Sequence, residues 1–349
     1  MENKDDIRLL SPEQLKDFFI EKNQSKYRVD QISDWLWKKG VSNFSQMTNL
    51  SDSLRKSLGE KFSLNKPTKI EVKKSIDGTM KYSIQLHDKN SVEAVLIPSK
   101  KRITACISSQ VGCSLDCKFC ATSRLIRKRN LFFYEIFDQL FYLNEQSNAH
   151  FKRKVSNIVF MGMGEPLLNY KNVVKAINKM KLCGGLNFSA KRITISTSGI
   201  PKGIKNLANE NLNCNLAVSL HSALQETREK IMPFSKNFPL EELMESLKYW
   251  YSVTKKKILY EYIIFDGIND DIKHVKALAK ICEVLPCKVN FIEYNPIGDK
   301  TFRPSKVEKL QLYQKYLTDK GIVNTFRISR GRDINAACGQ LVNLNGFNL

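Results

Sequence analysis

The sequence predicts an α/β protein in which a parallel sheet with helical crossovers follows a small helical region and a short β-meander. Three observations point there. Apolar residues up to about position 62 recur at helical spacing, those from 69 to 107 alternate with a period of two, and from 134 onward short apolar runs alternate with amphipathic helical patterns. Strand–helix alternation on this scale implies parallel strands joined by right-handed crossovers, closing fully or in part into a barrel. In either form the ligand site belongs at the carboxyl ends of the strands. At 349 residues the chain can bury a large core together with an accessory domain.

The first helix is expected to start at Ser11-Pro12-Glu13, where a hydroxyl caps free amides and proline suits the first turn. A second covers 29–39, with Ile32, Trp35 and Leu36 on one stripe and Gly40 as its stop; a third covers 52–58 ahead of Gly59. Trp35 and Trp37 read as core residues. In the meander, Ile70/Val72, Tyr82/Ile84/Leu86 and Val92/Ala94/Leu96 mark three strands, separated by turns at Asp77-Gly78 and at 87–90. Strand parity puts Glu93 opposite Val92 and Ala94, on the face of Val95 and Ile97. A carboxylate there lies at an edge or points at a partner. Later strands are predicted over 157–161, 192–197, 215–220, 258–265, 288–292 and 323–328, and helices over 134–146, 170–182, 240–251, 272–284 and 306–318.

Between meander and first crossover lies the loop Gly112-Cys113-Ser114-Leu115-Asp116-Cys117-Lys118-Phe119-Cys120. Its spacing lets three thiolates converge on one metal centre, and thiolate is a soft ligand suited to zinc or iron–sulfur clusters. A structural zinc site wants four closed ligands, and no further Cys or His lies close by in sequence. Three ligands on a four-iron cluster would leave one iron open to a small molecule.

Polar groups recur at the predicted strand ends. Gly162-Met163-Gly164-Glu165-Pro166 combines glycines that permit close backbone approach with a carboxylate suited to an ammonium group. Ser196-Thr197-Ser198 offers hydroxyls, Ser219-Leu220-His221 an imidazole, and Asn295 an amide able to read an adenine edge. Two cysteines stand apart. Cys338, flanked by Ala336-Ala337 and Gly339, leaves room for approach to its sulfur, and Cys106 lies seven residues before the loop. Cys183, Cys214, Cys282 and Cys287 read as packed thiols.

The formal charge of +21 favours a polyanionic partner, above all nucleic acid. The cations cluster at 100–102, 124–129, 152–154, 191–192, 255–257 and 327–332; the first of these leads into the cysteine loop and the second follows it. Mean hydropathy of −0.34 and the lack of a long apolar run predict a globular protein with no membrane segment. Nine cysteines without framework spacing, and an N terminus unlike a signal peptide, predict a reducing, cytoplasmic setting.

The Cys-x3-Cys-x2-Cys loop resembles the signature of the radical S-adenosylmethionine (SAM) enzymes. The whole chain resembles the RlmN family of adenosine carbon-2 RNA methyltransferases within that group. The similarity runs through Tyr27-Arg28-Val29-Asp30-Gln31-Ile32, Val92-Glu93-Ala94-Val95, the residues from Cys106 to Cys113, Met161 to Leu167, Val218 to Ser222, Tyr294-Asn295-Pro296 and Ala336 to Leu341. The resemblance implies a helical RNA-binding accessory domain over 1–64, a β-meander linker over 65–105, and a partial (βα)6 radical SAM barrel over 106–349. It also implies that Cys113, Cys117 and Cys120 hold a [4Fe-4S] cluster, and that Gly164, Glu165, Ser196, Ser219, Leu220, His221 and Asn295 bind SAM.

By the same resemblance Cys338 carries the methyl group, Cys106 resolves the protein–RNA adduct through a transient disulfide with Cys338, and Glu93 is the proton acceptor. Two SAM molecules would be used per turnover, and the partners would be 23S ribosomal RNA, transfer RNA and an electron donor such as flavodoxin or ferredoxin, with the enzyme a monomer. The roles make chemical sense, because carbon 2 of adenine is electron-poor and cannot displace a methyl group from SAM, whereas a thiolate can. Two alternatives stay open: a carbon-8 methyltransferase of the sister resistance family, disfavoured by Pro166, and a non-catalytic iron–sulfur RNA-binding protein. The chain departs from the family's usual pattern at Ile126-Arg127 (usually Gly-Phe), at Arg332-Asp333 (usually an acidic pair) and at Glu293-Tyr294 (usually Pro-Trp).

Overall fold

The computed structural model describes residues 4–182, 186–298 and 301–342, so Cys183 lies outside the described residues. Helices α1 (Pro12–Glu21), α2 (Arg28–Ser33) and α3 (Asp52–Lys61) form the N-terminal unit; α2 runs on into a wider turn of helix, Asp34–Lys39, which ends at Gly40 with φ +65°. Ser11 caps α1 as its sequence predicts, accepting from the Gln14 amide while the Gln14 side chain returns a bond to the Ser11 N–H.

Strands β1 (Lys69–Lys74), β2 (Met80–Gln85) and β3 (Ser91–Pro98) make the antiparallel meander, and β3 pairs antiparallel with β4 (Ile103–Cys106). The meander is therefore not a separate layer. It continues into one ten-stranded sheet, and the expected linker boundary at 105 falls inside β4. A two-stranded hairpin, β5 (Gln110–Val111) with β6 (Arg129–Asn130), encloses the cysteine loop.

Helix α4 (Phe133–Phe151) then begins the strand–helix repeat: β7 (Asn157–Phe160), α5 (Tyr170–Lys181), β8 (Ile193–Thr197), α6 (Pro201–Asn209), β9 (Asn215–Ser219), α7 (Gln225–Ile231), α8 (Leu240–Thr254), β10 (Ile258–Ile263), α9 (Ile272–Val284), β11 (Cys287–Ile292), α10 (Val307–Asp319) and β12 (Asn324–Arg327). The strands from β4 through β7, β8, β9, β10 and β11 to β12 are parallel and adjacent in chain order. The six parallel strands expected from the sequence are present as β7 to β12, and β4 extends the partial barrel by one. Sequence periodicity missed α6 and α7, which are short, and the two-residue strands β5 and β6, which fall below any detectable period.

The N-terminal unit docks on α4. Trp37 is buried, edge-on to Phe137 with ring centroids 5.2 Å apart and stacked on Phe133 at 5.8 Å. Beside it the buried Arg8 guanidinium bridges Asp6 and Asp138, each at 2.7 Å, and Lys66 reaches Asp138 at 2.6 Å. Removing one partner of such a buried network costs about 3–5 kcal/mol, because the remaining charge is left unpaired. This network fixes the accessory unit against the barrel. Trp35, by contrast, is only half-buried, with the Lys39 ammonium 3.4 Å from its ring centroid.

Candidate active site

The cysteine loop is pinned from several sides. The Asp116 carboxylate accepts from the Phe234 amide at 2.8 Å, and the Lys118 amide donates to the Ile231 carbonyl at 3.0 Å. The Ser123 hydroxyl donates to the carbonyls of Cys117 and Cys120, at 2.5 and 2.7 Å. Gly112 has φ +76°, and a side chain there would drive a Cβ to 2.5 Å from the Ile126 carbonyl, so the loop closes only with glycine.

All three thiols line one cavity, which holds about 980 Å³ of free space counted out to its open mouth. Burial pushes Cys113 up to about 12, and raises Cys117 and Cys120 as well. Thiols so disfavoured as free anions suit a metal centre that supplies the missing positive charge. Among the described residues no three His, Cys, Asp or Glu side chains close on a single ion. All three cysteines line the cavity, and three thiols on one short loop are a donor set that fits an iron–sulfur cluster.

The same cavity is lined by Gly164, Glu165, Ser196, Ser219, His221 and Asn295, from the carboxyl ends of successive strands. Gly164 (φ +93°) packs so closely on Gln110 that a Cβ would lie 2.5 Å from that side chain. Glu165 is buried; its Oε1 accepts from the Leu167 amide at 3.0 Å and its Oε2 from the Ser198 amide at 2.7 Å. Burial raises its carboxyl, and those two amides oppose the rise. His221 is pushed down to about 3 by burial and then by the neighbouring Arg228 charge, so its ring is neutral; Nδ1 accepts from the Ile263 amide at 3.1 Å, leaving Nε2 with the proton. Asn295 donates to the Cys338 carbonyl at 3.2 Å, while its own buried Oδ1 has no partner. Leu220 is the exception. Its side chain is fully buried and does not line the cavity, and its carbonyl is taken by Arg228.

Cys338 lies at the cavity's rim, in a loop held down by the Ala121 amide donating to the Gly339 carbonyl at 2.7 Å. Solvent reaches it through the mouth, yet the protein packed around it pushes its thiol up to about 11. Cys106 is buried behind the cavity at the end of β4, pushed up to about 12 first by burial and next by the proximity of Cys338. Two thiols 232 positions apart in sequence are thus electrostatic neighbours.

Glu93 is also buried, on β3. Its Oε1 meets the Lys81 ammonium at 3.0 Å and the Ser83 hydroxyl at 3.2 Å, and its Oε2 has no hydrogen-bond partner. Burial raises its carboxyl, with Lys81 opposing most strongly. Neither Glu93 nor Cys106 lines the main cavity. They flank the segment from Asn335 to Val342 that carries Cys338, through Lys81 donating to the Asn335 carbonyl at 3.2 Å and a Val342 backbone contact to Glu93.

Two residues escaped the sequence reading, and a third was read only as part of a basic cluster. Glu261 lines the cavity from mid-β10, where it sits in an apolar strand pattern. Arg228 is fully buried and donates to the carbonyls of Ser198 at 2.6 Å and Ser219 at 3.0 Å, tying two strand ends together. Arg327, on β12, lowers both Cys106 and Cys338. Only the three-dimensional register exposes them.

The basic clusters divide differently from the sequence expectation. Those at 100–102, 152–154, 191–192 and 255–257 each immediately precede a parallel strand (β4, β7, β8 and β10), so they stand at the amino ends, opposite the cavity. The 100–102 cluster therefore does not border the chemistry, because β4 runs between it and Cys106. Arg124, Arg127 and Lys128 are exposed beside the cysteine loop, but Arg129 is half-buried and engaged, bonded to Glu135 at 2.7 Å and Asp88 at 2.6 Å. Two of the departures noted above meet: Arg332 and Glu293 form an ion pair, so one change of charge answers the other.

Residues 6–64 match the family model described as Ribosomal RNA large subunit methyltransferase N-terminal domain, and residues 107–279 match the Radical SAM superfamily. A Flavobacterium johnsoniae protein named "Probable dual-specificity RNA methyltransferase RlmN" is 54% identical over 97% of each chain. "Dual-specificity RNA methyltransferase RlmN" of Nitratiruptor sp. is 40% identical over 90% of this chain and 92% of its own. The crystal structure of a radical SAM methyltransferase from Sphaerobacter thermophilus superposes with a TM-score of 0.90 at 34% identity, covering 97% of this chain and 99% of that one. The chain therefore belongs to the RlmN family of radical SAM RNA methyltransferases.

Proposed function

We propose that the protein methylates carbon 2 of an adenosine in the peptidyl-transferase region of 23S ribosomal RNA and of an adenosine next to the anticodon in transfer RNA. The observation that carries this reading is that Cys338 lines the cavity of the three-cysteine loop while standing near enough to Cys106 to raise its thiol. A non-catalytic iron–sulfur protein needs no such pair of thiols. The relatives' names print a dual specificity for RNA, and the pairing of ribosomal with transfer RNA follows the family resemblance.

Cys113, Cys117 and Cys120 would hold a [4Fe-4S] cluster, which when bound would supply the electron for reductive cleavage of one SAM molecule. Glu165, Ser196, Ser219, His221 and Asn295 bind and orient SAM beside it. The sulfur of Cys338 first takes a methyl group from another SAM by ordinary displacement, so each turnover uses two. Loss of a hydrogen atom from that methyl would leave a carbon radical that bonds carbon 2 of adenine and tethers RNA to Cys338, and the adduct would then return one electron to the cluster site. Glu93, whose raised carboxyl makes it a stronger base than a surface glutamate, takes the carbon-2 proton. Cys106, as its thiolate, then attacks the sulfur of Cys338; the bond from that sulfur to the tethering carbon breaks, the carbon takes up a proton to become the methyl group of the released RNA, and a disulfide is left for reduction. A flavodoxin- or ferredoxin-type donor provides electrons, and the enzyme works as a cytoplasmic monomer. No helix among the described residues is long and apolar enough to cross a membrane.

Mass spectrometry of digested ribosomal and transfer RNA from a strain lacking the gene tests the reading. Loss of 2-methyladenosine from both RNAs is expected. Loss of an 8-methyl product instead would favour the sister chemistry.

A further inference from the structure

Glu261, Asn290 and Thr325 are registered side by side on β10, β11 and β12: Glu261 pairs with Asn290, and Asn290 with Thr325. Residues directly opposite one another in a sheet share a face, so these three form a polar ladder across three neighbouring strands. The Thr325 hydroxyl donates to Asn290 Oδ1 at 3.0 Å, and Asn290 Nδ2 donates to Glu261 Oε2 at 2.8 Å. The ladder stops there. Glu261 is buried, its Oε1 has no hydrogen-bond partner, and its side chain lines the cavity that Cys338 also lines. A buried carboxylate aimed by one oxygen and left open at the other is costly unless something uses it.

We infer that Glu261 is a further catalytic residue, the base that takes the thiol proton of Cys338 as its sulfur is methylated. The inference rests on the reading of Cys338 as the methyl carrier. In the step, the Sγ–H bond breaks and its proton passes to Glu261 Oε1. The freed electron pair forms the Sγ–CH3 bond, while the bond from that methyl to the sulfonium of SAM breaks and leaves S-adenosylhomocysteine as a neutral thioether. One cation and one carboxylate become two neutral groups, and nothing is oxidised or reduced. Solvent at the cavity mouth takes the proton before the next turnover.

The electrostatics agree with this geometry. Burial, opposed by Arg327 and the Asn290 donor, raises Glu261 to about 7, between an ordinary carboxylate and the Cys338 thiol. The charged and titratable groups facing the pair are Arg327 from β12, Lys288 from β11 and Cys120 from the cysteine loop, with Cys106 beyond Cys338. Arg327 lowers both thiols and can stabilise the sulfur as its proton leaves.

The test uses cluster-loaded enzyme with methyl-labelled SAM and no reductant, following label on Cys338 by peptide mass spectrometry between pH 6 and 10. The wild type should methylate Cys338 at a rate that rises through about pH 7 and then levels. Glu261→Gln should be slower at pH 7 by about a hundredfold, the low end for loss of a general base, and should gain on the wild type as pH rises. Glu261→Asp should recover part of the rate. Alkylation of Cys338 by iodoacetamide, which needs no SAM, should show the same limb in the wild type and lose it in Glu261→Gln. A Glu261→Gln enzyme with the wild-type rate and pH profile in both assays would overturn the inference. Failure of the wild type to methylate Cys338 at all would instead overturn the role of that cysteine. Iron content and thermal melting report folding. Should Glu261→Gln not fold, Asn290→Ala keeps the carboxylate but removes the donor that lowers it, so the midpoint should move up; an unmoved midpoint and rate would count against Glu261.

Discussion

Glu93 and Cys106 share one face of neighbouring strands: Cys106 pairs with Val95, the second residue after Glu93. Lys81, which also pairs with Val95 from the other side, completes the group. Across this face runs the segment from Asn335 to Val342, fastened by Lys81 to the Asn335 carbonyl and, further back, by Asp333 accepting from Ser75 at 2.6 Å and from the Ile76 amide at 3.1 Å. The meander therefore does more than link two units. It holds the proposed base and resolving thiol on a rigid surface and clasps the loop that carries Cys338.

That arrangement makes Lys81 a positioning residue for Glu93. Burial pushes the Glu93 carboxyl up, and the Lys81 ammonium is the strongest force pulling it back. In Lys81→Met the carboxyl should rise further and be protonated more of the time at pH 7. RNA methylation should fall about tenfold to a hundredfold and recover in part as pH is raised, while Cys338 still acquires its methyl group. Rates of labelled RNA formation against pH, with peptide mass spectrometry of Cys338, measure both arms. Loss of Cys338 methylation would mean that Lys81 acts only by holding the loop.

RNA affinity should divide between the two ends of the barrel. Reversing the exposed Arg127 and Lys128 beside the cysteine loop should weaken RNA binding and flatten its salt dependence, with SAM affinity retained. Reversing Lys255 and Lys257, at the amino end of β10, should change affinity for a short substrate RNA much less. Binding titrations at several salt concentrations give the comparison. Equal losses at the two ends would show that RNA reaches around the barrel. Arg129 is unsuited to this test because it is bound to Glu135 and Asp88.

Acid should loosen the cysteine hairpin through Asp88. Partial burial pushes its carboxyl up, but hydrogen bonds from Arg129 and Asn90 outweigh that and bring it down to about 2. A carboxylate whose folded value lies below its unfolded one stabilises the fold at pH values above the unfolded value and loses that stabilisation as pH falls through the folded one. The window is therefore about pH 4 to pH 2. Asp88→Asn should melt at a lower temperature than the wild type at pH 7, and the gap should close as pH approaches 2. A gap that stays constant with pH would remove the ion pair from the account.

Much of this site is legible in the sequence. The cysteine spacing, the Gly-Glu-Pro turn and the hydroxyl, imidazole and amide groups at strand ends all lie on local motifs, and each reaches the cavity except Leu220, which merely sits between two residues that do. Glu93 stands out by parity alone. What stays hidden depends on register between strands far apart in sequence. Glu261 and Arg327 alternate among apolar neighbours as any strand residue could, and nothing local tells that Glu261 lines the cavity with Cys338 or that the Arg327 charge acts on that thiol. The placement of the basic clusters is hidden for the same reason, because run length in sequence does not say which end of a parallel strand a run occupies.

The central claim, that Cys338 carries the methyl group and Cys106 only releases the product, is tested most directly by Cys106→Ala. That variant should still acquire the methyl group and attack adenine, and with no thiol to resolve the adduct it should accumulate RNA covalently joined to Cys338. The measurement is a denaturing gel of the purified variant with and without nuclease. The account predicts a nuclease-sensitive, slow-migrating species that disappears when Cys338 is also replaced. Full turnover by Cys106→Ala with no such species would contradict it, and would make Cys106 a packed thiol beside the site.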